Sequence, residues 1–158
     1  MLILTAQRLN EVAGMRWSQV DAAKAVWSLP AESTKAIRGH EIPLTPLALS
    51  VLAAIPRTQS DFVFPARGKD GAMSGFNKRK AKLDRLSNTV GWTQHDIRRT
   101  VATGMARLRV DPHIVERLLN HKIGSISAVG KIYNQFGYLD EQREALIKWS
   151  DHLEKNCI

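Results

Sequence analysis

Cysteine is almost missing from the chain: Cys157 is the only one, so neither a disulfide framework nor a thiolate metal cluster is available. Long apolar runs are missing too. No stretch approaches the ~18 consecutive apolar residues that span a bilayer, and the N-terminus lacks the basic, apolar and small-residue order of a secretory signal. These absences point to a soluble, cytoplasmic protein with no membrane partner, held together by packing. His40, His95, His113, His121 and His152 show no paired ligand spacing and no accompanying carboxylate cluster, so no metal and no other cofactor is expected. Repeats, low-complexity tracts and long linkers are absent as well, and the 158 residues read as one domain.

Acidic charge is also in short supply. Against 23 Lys+Arg stand 15 Asp+Glu, a formal net charge of +8, which favours a polyanionic partner through phosphate neutralisation and counterion release. Charge alone separates neither DNA from RNA nor a nucleic-acid binder from a protein kept soluble by its excess charge. The 44% hydrophobic content is that of an ordinary globular domain.

The opening MLILTAQRLNEVAGM reads as one helix, with Leu2, Leu9 and Val12 on a stripe and Gly14 as the stop. It starts apolar and uncapped, as the middle of a longer protein does. AVWSLP (25–30) and HEIPL (40–44) read as the strands of a hairpin whose long polar tip carries Lys35 and Arg38. Pro46 opens a helix over 46–55, and a short strand is expected at 62–64. From Ser74 onward the pattern is helical, with breaks at 88–92, around Val110, and around Gly124 and Gly137. Ile97, Val101, Met105 and Leu108 form one stripe. Ile114, Val115, Leu118 and Leu119 form the next, behind Asp111 as N-cap and Pro112 at the first helical position. An amphipathic helix closes the chain over 139–155, with Leu139, Leu146, Trp149 and Leu153 on one face. The class is α+β, mainly α, with a small antiparallel sheet in the N-terminal third.

Several polar residues remain after the core is assigned. Arg8 and Glu11, three apart, share a helix face, as a surface ion pair also would. His95 and Arg98 are likewise three apart at a helix start, and Arg99, four from His95, serves the same geometry. His121 ends the run LLNH, where an imidazole also suits a helix C-terminal dipole. Lys35 on a hairpin tip is compatible with simple solvation. Tyr133 and Tyr138 are the only tyrosines, and either suits a core position with a wet hydroxyl. Lys78, Arg79, Lys80, Lys82 and Arg85 crowd one helical segment, as a solvated face or as phosphate contacts without base specificity.

The ordered set carries a resemblance that no single member does. LTAQRLNEVAGMRW resembles the tyrosine-recombinase block in which an arginine is followed three residues on by glutamate, and HDIRRT resembles its His-x-x-Arg block. ERLLNH resembles the Leu-Leu-Gly-His block, and KIYNQFGYLDEQREALIKW resembles the nucleophile block of prophage-type integrases. Ala6 stands where the family often has glycine before the arginine, and Asn120 where glycine often precedes the second histidine, so local backbone geometry is in question at both.

The resemblance implies the tyrosine-recombinase catalytic-domain fold, with an additional N-terminal DNA-binding domain that this chain lacks. It implies Arg8 and Arg98 as phosphate-binding arginines, Lys35 as the hairpin lysine that protonates the leaving 5′-hydroxyl, and His95 and His121 as further polar groups of the site. It also implies Tyr133 as nucleophile. Helical geometry sets the two tyrosines roughly 140° apart, a break at Gly137 leaves both possible, and resemblance selects Tyr133 because its asparagine follows directly. Double-stranded DNA is the implied partner, with self-association on it as a recombination tetramer. A phenol with a pKa of about 10 benefits from a proton acceptor, for which His95 is the best candidate. Alanine at Arg8 or Arg98 is expected to cost cleavage while leaving the fold intact. The rival readings are a type IB topoisomerase, a DNA-binding module that does not cleave, and a metal-dependent nuclease.

Overall fold

The computed structural model describes residues 1–33, 39–121 and 137–157. Lys35 and Arg38 of the hairpin tip, the break at Gly124, and Tyr133 lie outside the described residues. The elements run α1 (Leu2–Thr5), α2 (Leu9–Ala13), a 3-10 turn (Trp17–Gln19), β1 (Val20–Asp21), β2 (Val26–Leu29), a second 3-10 turn (Ala31–Ser33) and β3 (His40–Pro43). Then follow α3 (Pro46–Ala53), α4 (Phe76–Ser87), α5 (Gln94–Arg107), α6 (Pro112–Leu118) and α7 (Leu139–Cys157). The mainly helical chain with one small sheet is the expected class. Among the described residues no helix is long and apolar enough to cross a membrane.

The sheet is antiparallel in the order β1-β2-β3, with Trp27 opposite Ile42 and Leu29 opposite His40. This register sets Trp27, Leu29 and Ile42 into the core and leaves Ser28 and Glu41 outside, as the period of two in a strand requires. Pro43 lacks an N–H and sits at the end of an edge strand, where no ladder bond is lost. Against the sheet pack α7 and the end of α6. Thr45 caps α3, its side chain accepting the Ala48 N–H at 3.2 Å ahead of Pro46 in the first turn.

Trp149 of α7 lies flat on Gly104 of α5. A Cβ at Gly104 would stand 2.2 Å from the indole Cζ3, so this mid-helix glycine, otherwise a cost of about 1 kcal/mol against alanine, is there for the indole. The Trp149 Nε1 donates to the carbonyl of Ile3 at 2.8 Å and locks α1 beneath the same ring. Leu118, Leu146, Val101 and Met105 complete the helical side of the core.

Two expectations are corrected. The opening segment is two short helices, because Ala6 adopts φ 56 and a left-handed residue cannot continue a right-handed helix; Gly14 does close the second. Residues 62–64 form no strand: Phe62 makes one isolated bridge to Arg16, Val63 donates to Met15 O at 2.9 Å, and Phe64 O accepts from Met73 at 2.8 Å. Bonds to partners on separate segments never build a ladder. Asp111 is the N-cap of α6 and Pro112 stands in its first turn, both as expected, although the Asp111 side chain makes no capping bond. The hairpin pairing, the breaks near 88–92 and Val110 and the closing amphipathic helix are all present, and Gly137 and Tyr138 stand outside that last helix.

Candidate active site

The break at Ala6 builds the first wall. It frees Arg8 from helical geometry and makes it the N-cap of α2, with extended φ −69 and ψ 150. Glu11, 5% exposed, accepts the Arg8 backbone N–H at 2.8 Å and the guanidinium Nη1 at 3.0 Å. One buried carboxylate therefore caps the helix and aims the arginine, which a surface ion pair does not do.

The second wall is the first turn of α5. Thr93 caps it, its backbone N–H and hydroxyl both donating to Asp96 at 2.8 Å. These bonds, the backbone one foremost, hold the Asp96 carboxyl below its ordinary range. Asp96 also pairs with Arg99 at 3.0 Å, whose side chain is 75% exposed. Arg98 turns the other way and is 4% exposed. Burial thus separates the two arginines that spacing left equivalent. Burial first, and then the like charge of Arg8, push the Arg98 guanidinium down to about 10, with Glu11 and Glu116 pulling upward. It remains protonated near neutrality.

Arg98 Nη1 donates to the carbonyl of Ala6 at 2.5 Å, and Nη2 to the carbonyl of Leu119. The side chain thereby bridges the turn before Arg8 and the end of α6. The expectation that alanine at Arg98 leaves the fold intact is corrected here, since removing the guanidinium strips two carbonyls of their buried donor.

The end of α6 is tied to these two walls by the Arg98 bond to Leu119 O, although its residues and His121 are not among those that line the cleft. Asn120 takes φ 44, its N–H bonds to Arg117 O at 2.8 Å, and the His121 N–H bonds to Glu116 O at 3.1 Å. This is the left-handed helix ending in which a residue tolerant of positive φ is required. Ala6 and Asn120, the positions where the family often has glycine, both hold the backbone conformation that glycine supplies most cheaply. The two departures change the residue and keep the turn. His121 Nδ1 bonds to Glu116 Oε2 at 2.7 Å, so Nε2 is the ring nitrogen that this bond does not engage.

Arg8, His95 and Arg98 line one cleft of about 680 Å³, together with Gln7, Glu11, Glu32, Thr93 and Gln94. His95 is exposed there. Tyr138 lies elsewhere: its ring meets His113 edge-on at 5.4 Å, Arg117 covers it at 4.4 Å, and it lines a separate hollow of about 270 Å³ with Arg109 and Glu141.

The basic segment forms α4, which buries none of its residues. Lys78, Lys82 and Arg85 are exposed at spacings of four and three, on one solvent face. Arg79 is exposed but bonded to Ser74 O at 2.7 Å. Lys80 differs: it pairs with Asp84 at 2.6 Å and stacks on Trp92 at 4.6 Å, which commits it to the protein.

Sequence reading missed Gln7, His40 and Glu116. His40 Nε2 and Gln7 Nε2 meet the same Leu118 carbonyl at 3.1 and 2.9 Å. No periodicity signals a side chain whose partner is a backbone carbonyl far along the chain.

A mainly helical body with a three-stranded antiparallel sheet is the fold this chain shares with solved integrases and a recombinase. The integrase from mycobacterium phage Brujita matches at TM-score 0.68 and 18% identity, over 94% of this chain and 49% of that one. XerA recombinase matches at TM-score 0.61 and 17% identity, over 99% and 55%. The Tn1549 transposon integrase, solved in complex with circular intermediate DNA, matches at 0.62 and 16%, over 90% and 54%. At such identities the likeness shows the fold. The model of the phage integrase family matches residues 1–138, and the chain belongs to that family. Prophage integrase IntZ of Escherichia coli (strain K12) is 34% identical over 157 residues, covering 98% of this chain and 38% of the relative. Prophage integrase IntA of the same strain is 28% identical over 151 residues, covering 94% and 36%. The chain thus spans less than two fifths of the length of these curated relatives.

Proposed function

We propose that the chain supplies the catalytic domain of a site-specific tyrosine recombinase, which cuts and rejoins duplex DNA through a 3′-phosphotyrosyl ester. The observation that carries this reading is the convergence of Arg8, His95 and Arg98 on one cleft in a member of the phage integrase family. In-line attack on a phosphodiester puts extra negative charge on the nonbridging oxygens, which forked guanidinium donors meet. Arg8 and Arg98 take that role, and His121, oriented by Glu116 through Nδ1, turns Nε2 to the same phosphate, to which it donates when both ring nitrogens carry hydrogen.

Tyr133 attacks phosphorus, its proton passes to His95, and the 5′-oxygen leaves with a proton from Lys35. The ester keeps the bond energy, so a 5′-hydroxyl from another strand reverses the step with no nucleotide cofactor. Lys78, Lys82 and Arg85 supply positioning contacts to the phosphates. The solved Tn1549 relative holds DNA, which supports duplex DNA as the partner; a tetramer assembled on that DNA, acting in the cytoplasm, completes the reading.

The test is a duplex nicked beside the scissile phosphate, so that the freed strand diffuses away and the ester is trapped. A covalent protein–DNA adduct that forms in excess EDTA and is lost in Tyr133→Phe is the expected result. Cleavage without an adduct, dependent on a divalent ion, selects a nuclease. Relaxation of supercoiled DNA without strand exchange selects a topoisomerase.

A further inference from the structure

Gln7 stands directly before Arg8 and is 1% exposed. A buried carboxamide has two N–H donors and an acceptor oxygen to satisfy. Both donors are taken: Nε2 donates to Thr5 O at 2.7 Å, within its own loop, and to Leu118 O at 2.9 Å, in the last turn of α6. These acceptors fix the orientation of the amide, because the reversed group would set its oxygen against two carbonyls. Oε1 is left buried without a hydrogen-bond partner, although the residue lines the cleft that holds Arg8, His95 and Arg98.

We infer that Gln7 is a positioning residue of the strand-breaking centre, tying the loop that carries Arg8 to the helix end that carries His121 so that both phosphate ligands are placed as one unit. The inference rests on the reaction proposed above and adds a residue to which the resemblance assigns no role. Gln7 is covalently joined to Arg8, and Leu118 is followed by the left-handed turn at Asn120 and then His121. A displacement of either loop is therefore passed to the other through one hydrogen bond. His40 braces the same helix end from the sheet, and Arg98 braces it from α5 while also holding the Ala6 carbonyl; Gln7 reaches it from the Arg8 loop itself. Its oxygen cannot bond a phosphate oxygen, both being acceptors, so the residue acts through its neighbours and not on the substrate.

Two substitutions test it. Gln7→Met keeps the volume and removes both donors; Gln7→Glu keeps the shape and sets carboxylate oxygen against the carbonyls. On saturating nicked duplex, Gln7→Met is expected to slow adduct formation about 10- to 100-fold, the scale of a small misplacement of reacting groups, with the Kd for the duplex unchanged within about threefold. In a His121→Ala background the same change is expected to move the rate by less than about threefold, because the group it positions is gone. Gln7→Glu should gain rate relative to the parent chain as pH falls, since only the protonated acid donates to Leu118 O. Equal losses in the two backgrounds, or a Gln7→Glu to parent ratio flat in pH, overturns the proposal.

Amide exchange in the free protein separates this from failure of the reaction itself. Gln7→Met should speed exchange at Asn120 and His121 by about tenfold and leave Leu49 of α3 unchanged. Unchanged exchange at Asn120 and His121 sinks the coupling whether or not an adduct forms. Accelerated exchange in a chain that forms no adduct upholds the coupling and counts against the reaction.

Discussion

Arg98 donates a hydrogen bond to the carbonyl of Ala6, the residue whose left-handed turn releases Arg8 from the first helix. The proposed phosphate ligand on α5 thus supports the backbone that presents the other one. Architecture and chemistry share a side chain here, and substitutions at Arg98 report on both.

Arg98→Ala is expected to lose stability as well as cleavage. Two carbonyls lose their buried donor, at about 1–3 kcal/mol each, and at roughly 2–4 °C per kcal/mol the melting temperature should drop by about 4–24 °C. Arg8→Ala removes the cation paired with the buried Glu11 carboxylate, which keeps its bond to the backbone N–H of residue 8 and the nearby charge of Arg98, so its melting shift is expected to be smaller than that of Arg98→Ala. Equal melting shifts in the two variants would contradict the bridging geometry.

Arg99 is the control for the helix face. Its side chain is 75% exposed and paired with Asp96, so Arg99→Ala should leave adduct formation within about threefold of the parent while Arg98→Ala lowers it by about a hundredfold or more. A damaging Arg99→Ala with a silent Arg98→Ala would shift the site by one residue.

Gly104→Ala reverses the usual sign of a helix substitution. Propensity alone adds about 1 kcal/mol of stability, but the new methyl collides with the Trp149 ring at 2.2 Å. Overpacking of this kind costs about 1–3 kcal/mol, and thermal unfolding should show a net loss. A raised melting temperature would mean that the indole is free to move aside.

The α4 lysines predict a salt signature. Each phosphate contact removed lowers the slope of log K against log salt by about 0.9, so replacing Lys78, Lys82 and Arg85 together should reduce it by about 2–3. Lys80→Ala should change the slope least of the basic residues and cost stability instead, because it breaks the pair with Asp84 and the stack on Trp92. Fluorescence anisotropy across a salt series reads both outcomes.

Tyr133→Phe should abolish the covalent adduct and keep DNA binding, while Tyr138→Phe keeps both. Tyr138 packs between His113 and Arg117, away from the cleft, so its hydroxyl has no path to a phosphate held by Arg8 and Arg98. A peptide map with DNA attached at Tyr138 would overturn the assignment.

The sequence by itself determined the pieces that rest on local rules. A period of two placed the hairpin, periods near 3.6 placed α5, α6 and α7, and glycine and proline marked most boundaries; four ordered blocks then identified the class. Tertiary structure decided what local rules leave degenerate. Arg98 and Arg99 are neighbours with the same chemistry, and only burial against Ala6 and Leu119 sets them apart. Ala6 reads as a helix former, yet it turns left-handed because a buried guanidinium holds its carbonyl and the chain has to present Arg8 as a cap. Glu11 reads as surface charge and is buried because it serves two donors of one residue. Gln7 and His40 carry no pattern at all, since their shared partner is a backbone carbonyl, a group every residue possesses and only the folded chain brings within reach.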